Sequence, residues 1–418
     1  MNYKRKILVP IFNRAHYGRL RSVLSAIKNH QALDLKIIVG VPAAYGYFLK
    51  NIINSQPRSW FKALPWYVLA RSRSFLSESL VFKNDFLARN LINDGFEIEA
   101  YAPIFFDGGK SETMAKTAGL AIERLTDEIK KIKPDVVFVN ADRFEMMAVA
   151  IAASYLNIPI AHNEGGDVSG TIDESIRHSI TKLAHIHFTS TESSRKRVIQ
   201  MGENPDKVFN VGSPAIDAVC NVDFKIKPNV FNSLDISKPY ILVLAHPVAT
   251  ASKEENFNMA QNLILAIKEI PIPKIILGSN IDAGSDALGG AIKDWLETEK
   301  PKDVFFTKNL HPDDFYKYLN YAVCAVGNSS SFIREGAFLG IPVVLFGSRQ
   351  NNRERGENIL EVIASEKDAL ARAILNQISH GKFTSSKVFG EGDAAFKISE
   401  ILARVDLSIQ KSFKTILQ

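Results

Sequence analysis

Short apolar runs alternate with amphipathic stretches along nearly the whole chain. KILVPIF, DLKIIVG, DVVFVN, IPIAHN, AHIHFTS and KVFNVG have the length and β-branched or aromatic character of buried strands. Between them, segments such as YGRLRSVLSAIKNH and ETMAKTAGLAIERLTDEIKKIK carry apolar residues at helical spacing. This βα alternation predicts an α/β protein with parallel sheets covered by helices on both faces. A polar, proline-containing stretch follows VGSPAIDAV, and the alternation then resumes with YILVLAHP, KIILGSN, DVFFTKN, AVCAVGN and PVVLFG. Two Rossmann-like domains, 1–218 and 239–400, joined by a linker at 219–238, are the simplest architecture. A tail at 401–418 is expected to be helical and to pack back on the first domain. Open α/β sheets bind ligands at the carboxyl ends of their strands, so two facing halves place a shared ligand in the cleft between them.

With 418 residues, 46% hydrophobic and 23% charged, the chain can bury large cores. Its two cysteines, Cys220 and Cys324, give neither a disulfide framework nor metal-ligand spacing. A reducing, cytoplasmic setting and no metal are therefore expected. The opening MNYKRKILVPIF has too short an apolar run for a signal peptide or a membrane span. A net charge of +6 would serve nucleic acid or a membrane surface only with clustered basic residues and a recognition motif. Neither is found, which leaves small anionic ligands as the expected partners.

GNSSSFIREGAF, 327–338, reads as a strand end, a serine-rich turn and a helix from Phe332 onward. Ser329 and Ser330 then stand at a helix N-terminus, where unpaired amide N–H groups and the helix dipole suit a phosphate. A plain serine N-cap is the alternative. The neighbours favour a ligand: Glu335 lies one turn into the helix, where a carboxylate can accept two hydrogen bonds from a ribose diol, and Arg349 follows the next strand. Phosphate, ribose and a cationic clamp together describe a nucleoside diphosphate.

A second cluster lies in the first half, where NADRFE ends one strand and HNEGGDVSGTIDESIRH follows the next. Asp142, Glu164 and Asp173 are candidates for proton transfer, and Gly165 and Gly166 allow a sharp turn beside a ligand. The alternatives are Thr171 or Asp173 as an N-cap, and Arg143 with Glu145 as a surface pair.

The runs DRFE, HNEGGDVSGTIDESIRHSITKLAHIHF, VGSPAID, AHPVAT, SNIDAGS, GNSSSFIREGAFLGIPVVLFGSRQNNRERGEN and KVFGEGDAA resemble the hydrolysing UDP-N-acetylglucosamine 2-epimerases. These enzymes serve bacterial sialic and legionaminic acid synthesis. The likeness runs in order from about 92 to 398, with a shorter match in FNRAHYGRLRSVLSAIK. It implies a glycosyltransferase-B fold and a reaction that eliminates UDP to a 2-acetamidoglucal, then adds water to release a free manno-configured sugar without metal or nicotinamide. It further implies UDP contacts from Arg14, Asn280, Ser329, Ser330, Glu335 and Arg349. The catalytic group becomes Asp142, Glu164, Asp173 and His246, supported by Arg143, Gly165, Gly166 and His178. A homodimer or homotetramer is expected on the same ground.

Two departures from the family pattern stand out. Arg14-Ala15-His16-Tyr17 carries a titratable histidine where relatives have an aspartate, and an aromatic and basic insertion fills 51–86. His185 and His187 alternate along one strand and are expected to pack inward with a hydrogen bond. A glycosyltransferase of the same fold and a non-catalytic UDP-sugar sensor are the competing readings.

Overall fold

The computed structural model describes residues 3–43, 85–106, 111–226, 228, 231, 235, 237–248, 250–278, 285–308, 310–362 and 367–415. The expected insertion at 51–86 lies outside these residues except for its last two positions, and Asn280 lies outside them altogether.

The first half is a seven-stranded, wholly parallel sheet of β1 (Arg5–Ile11), β2 (Leu33–Pro42), β3 (Ala100–Phe105), β4 (Val136–Asn140), β5 (Ile160–Asn163), β6 (Ile186–Thr189) and β7 (Val208–Asn210), in the order β3-β2-β1-β4-β5-β6-β7. Its helices are α1 (Arg14–Asn29), α2 (Phe86–Asn93), α3 (Ser111–Ile132), α4 (Phe144–Tyr155), α5 (Ile172–Leu183), α6 (Glu192–Gln200) and α7 (Pro214–Cys220). The second half repeats the plan with β8 (Ile241–Leu244), β9 (Lys274–Leu277), β10 (Val304–Thr307), β11 (Cys324–Gly327), β12 (Val343–Phe346) and β13 (Ile359–Val362), ordered β10-β9-β8-β11-β12-β13. Around it lie α8 (Lys253–Lys268), α9 (Ser285–Glu299), α10 (Pro312–Tyr321), α11 (Ser330–Leu339) and α12 (Lys367–His380), after which α13 (Ala394–Arg404) returns to the first half.

Central strands such as β4, VVFVN, are buried along their whole length, because helices cover both faces of a parallel sheet. The edge strands β3 and β13 escape the hydrophobic pattern. Both are only half buried; β13 carries Glu361 within it, and β3 carries Pro103, a residue that argues against a strand. Each sheet reverses its strand order beside its first strand, between β1 and β4 and between β8 and β11. These reversals are the crevices where doubly wound sheets hold ligands.

The chain passes between the halves twice at one place. Ser213 N donates to Phe389 O at 2.7 Å, and the Asp217 carboxylate accepts from the amides of Ala394 and Ala395 at the start of α13. A Cβ on Gly212 (φ +84°) would come within 3.0 Å of Gly390 Cα, so the crossing strands meet backbone to backbone.

The expected boundaries shift here. Helix α13 begins before residue 400, yet Ala395, Ile398 and Leu402 lie in the core formed by β1, β2, α1 and α2 of the first half. Residues 405–415 are not helical: Lys411 donates to Lys182 O at 2.8 Å and pairs with Glu203, which also meets Lys182 and the buried His187. His187 packs inward as expected, its Nε2 3.1 Å from Glu203 Oε2, whereas His185 precedes β6, is only partly buried, and turns its Nε2 to Ile409 O of the tail at 3.0 Å. No helix among the described residues is long and apolar enough to cross a membrane.

Candidate active site

In the first half, the carboxyl ends of β4 and β5 are tied together before the site residues begin. Asn163 donates to Asn140 across the strands at 2.7 Å, and Ala141 N donates to Asn163 O at 2.9 Å. His162 Nε2–H donates to Ala141 O at 2.9 Å while Nδ1 faces Thr181 Oγ at 3.1 Å. Burial pushes the His162 imidazole down to about 3, so it is a neutral brace. The two residues that turn out of these strands, Ala141 (φ +63°) and Glu164 (φ +62°), adopt the left-handed conformation that favours glycine. Such strain costs about 1–3 kcal/mol and persists only where neighbours enforce it.

Asp142 follows directly from the first turn, and Glu164 is itself the second. Asp142, partly open to solvent, pairs with the fully buried Arg177 of α5, whose other Nη donates to Asp167 O at 2.7 Å. Glu164 is buried between two guanidinium groups, Arg334 at 3.1 Å and Arg19 at 3.3 Å. Burial alone would raise its carboxyl; Arg334, Arg19 and Arg353 outweigh that and hold it below the usual carboxylate range. Gly166 (φ +79°) packs where a Cβ would come within 2.3 Å of Ser194 O, and a Cβ on Gly165 would meet His162 Nδ1 at 3.0 Å. Thr171, not Asp173, caps α5, accepting from Asp173 N at 3.4 Å, while Glu174 accepts from Ser169 N. His178 lies one turn further on, 3.8 Å from Glu174, with burial holding its imidazole below its ordinary value. Arg143 bonds Glu145 at 3.1 Å, but Glu145 is buried, so the alternative of a surface pair does not hold.

At the carboxyl end of β1, Arg14 opens α1, and its side chain lies outside the described residues. His16 is buried, and its Nδ1 has no hydrogen-bond partner. Burial, reinforced by Arg19 and Arg143, holds this imidazole well below its usual value, so it stands neutral rather than cationic.

In the second half, α11 starts at Ser330 with Ser329 as N-cap, two residues earlier than the expected Phe332. The serines are therefore the helix start itself. Asn328 clips this turn to the one after β8: its Oδ1 accepts from His246 N at 2.7 Å and its Nδ2 donates to His246 O at 2.8 Å. From the turn after β12, Arg349 donates to Asn328 O at 3.3 Å. Glu335 is buried, and burial raises its carboxyl, only partly offset by Arg334 and Arg19. Its Oε2 lies 3.7 Å from Arg334 Nε and takes no hydrogen bond.

The two sets meet across the cleft. Besides Arg334 with Glu164, Arg353 of the second half pairs with Asp167 of the first at 2.8 Å, and Gly170 N donates to Arg349 O at 3.1 Å. A Cβ on Gly170 would lie 1.8 Å from Ser348 O, so this approach requires glycine. Arg177, Arg353, Arg334, Arg19 and Arg197 crowd one region, a field suited to a polyanion. Among the described residues no group of three or more His, Cys, Asp or Glu side chains could hold a metal ion.

Residues 82–403 match the family model described as UDP-N-acetylglucosamine 2-epimerase. The chain is also 32% identical, over 97% of itself and 97% of the relative, to the UDP-N,N'-diacetylbacillosamine 2-epimerase (hydrolyzing) of Legionella pneumophila. The chain belongs to the hydrolysing UDP-N-acetylglucosamine 2-epimerase family. Another member, the GDP/UDP-N,N'-diacetylbacillosamine 2-epimerase (hydrolyzing) of Campylobacter jejuni, is 29% identical over 86% of this chain and 84% of its own. The fold is shared with the UDP-GlcNAc 2-epimerase of Neisseria meningitidis, solved bound to UDP-GlcNAc, at a TM-score of 0.72 and 18% identity over 95% of this chain and 99% of that one. The enzyme thus has the glycosyltransferase-B fold expected from its sequence.

Sequence reasoning named the strand-end carboxylates of this epimerase but passed over Arg19, Asp167, Arg177, Arg334 and Arg353. A signal existed for two of them. Arg177 shares a helix face with Ile180 and Thr181, and Arg334 with Ala337, all buried. A charge in the buried phase of a helix needs a partner.

Proposed function

We propose that this enzyme converts a UDP-2-acetamido sugar, with UDP-N,N'-diacetylbacillosamine as the first candidate, into UDP and the free manno-configured sugar. The observation that carries this reading is the meeting of the Ser329–Ser330 helix start with Glu164 and its neighbours through the buried Arg334–Glu164 pair. The pyrophosphate rests on the α11 N-terminus near Arg349, and Glu335 receives the ribose hydroxyls on Oε2, which takes no hydrogen bond within the protein. Arg14 and Asn280 are further UDP contacts on the family resemblance. The sugar then extends toward Asp142, Asp173 and His246, with Arg143, Gly165, Gly166 and His178 around it.

In the first step a base removes the C2 proton, the bond from C1 to the UDP oxygen breaks, and a double bond forms between C1 and C2. In the second, water adds hydroxide to C1 while a proton returns to the opposite face of C2. Asp142, partly solvated, and Asp173 suit the proton transfers. Glu164, held ionised, suits stabilisation of the positive charge that develops at C1 as UDP departs. The diacetamido substrate is favoured by the names of the Legionella and Campylobacter relatives, and its product would feed legionaminic-type nonulosonic acid synthesis in the cytoplasm. A homo-oligomer is part of the same proposal.

The test is product analysis with UDP-N,N'-diacetylbacillosamine and UDP-N-acetylglucosamine in parallel, without an acceptor. The reading expects UDP and a free 2-epimerised sugar, with the larger kcat/KM for the diacetamido substrate. Transfer only when an acceptor is added would instead establish the glycosyltransferase reading.

A further inference from the structure

Arg334 sits in the second turn of α11, four residues beyond Ser330 and so on the same helix face. It is wholly buried, and its nitrogens reach three residues. Nη1 donates to Glu164 Oε1 at 3.1 Å, Nη2 donates to Ser330 Oγ at 3.4 Å, and Nε lies 3.7 Å from Glu335 Oε2. One guanidinium therefore touches two groups read above as nucleotide contacts and a carboxylate of the opposite half. We propose that Arg334 is a positioning residue that links occupancy of the nucleotide site to the orientation and ionisation of Glu164. This rests on the reading of the α11 start as the UDP site.

The physical basis is competition for one cation. An anion arriving at Ser330, or a ribose at Glu335, changes what Arg334 bonds on its own helix, and with it the share of its charge that faces Glu164. The other charged or titratable groups acting on Glu164 include Arg19, Arg353, His162 and Glu335 itself; Arg19 also acts on Glu335 through space, but none of Arg19, Arg353 and His162 hydrogen-bonds Ser330 or Glu335. Interactions within such a network are non-additive when its members are removed in pairs.

The test is calorimetric titration with UDP of the wild type, Glu164→Gln, Arg334→Gln, the double variant and Arg334→Lys. Glu164→Gln is expected to change UDP affinity by about threefold or more in the wild-type background and by clearly less in the Arg334→Gln background, where only Arg19 still faces both carboxylates. Equal effects in both backgrounds, or no effect in the wild type, would overturn the proposal. If Arg334→Gln does not fold, Glu164→Gln and Arg334→Lys decide: UDP affinities in both equal to wild type overturn it, and a changed affinity in Glu164→Gln with a smaller change in Arg334→Lys supports it. Turnover on the same samples supplies a second readout. The acidic limb of kcat/KM should move to higher pH in Arg334→Gln and return in Arg334→Lys, whereas a packing role alone would leave the limb in place. A coupled UDP cycle in a wild type that turns over no UDP-2-acetamido sugar would refute the epimerase reading while the link stands. An additive cycle in an active enzyme would refute the link while the reading stands.

Discussion

The Arg334 guanidinium lies 3.1 Å from the Glu164 carboxylate, both side chains buried and each supplied by a different half of the molecule. Removing one member of a buried ion pair strands the other. Glu164→Gln is expected to lower stability by about 3–5 kcal/mol at neutral pH, read as a lower urea midpoint at unchanged slope. Because the folded carboxyl titrates below its unfolded value, the pair's contribution is full above the unfolded pKa and is lost as pH falls through the folded one. Glu164→Gln should therefore show a shallower acid-side loss than the wild type. An unchanged midpoint would mean that the pair contributes nothing.

Asp142 follows the strained turn after β4 and has Arg177 as its partner. Asp142→Asn is expected to reduce turnover by about 10²–10⁴-fold while UDP still binds, checked by stopped-time UDP release beside calorimetry. Wild-type turnover in this variant would remove Asp142 from the chemistry.

Glu335 and Arg349 flank the α11 start. Glu335→Gln and Arg349→Gln should each weaken UDP binding by about 10–100-fold, the range of a lost charge-assisted hydrogen bond. Full affinity in both variants would contradict the placement of the nucleotide.

Burial depresses His162 to about 3, against an unfolded value near 6.5. A buried neutral imidazole lends stability that is full above the unfolded pKa and falls away as pH drops from about 6.5 toward 3. His162→Gln, which keeps a donor for Ala141 O, should flatten this part of the Tm against pH profile. An identical slope would show that His162 is not protonated on unfolding in that range.

The central strands were legible because burial on both faces leaves an unbroken apolar run, as in VVFVN. The edge strands β3 and β13 were not: Glu361 interrupts the four-residue β13, and Pro103 breaks the strand signal of β3. Strand-end residues such as Asp142, Glu164 and Ser329 could be picked out because a doubly wound sheet gathers its ligands there. Their partners could not. Arg334 stands 170 residues from Glu164, and periodicity reports which face a residue occupies, not what it meets. His16 shows the same limit: its titratable type is plain in the sequence, but only burial beside Arg19 and Arg143 makes it neutral.

The most direct measurement of the central claim is an NMR time course in deuterated water with UDP-N,N'-diacetylbacillosamine and no acceptor. Release of UDP with a free manno-configured sugar carrying deuterium at C2 is expected. Intact substrate despite bound UDP, or a released sugar with its original C2 configuration and hydrogen, would contradict it.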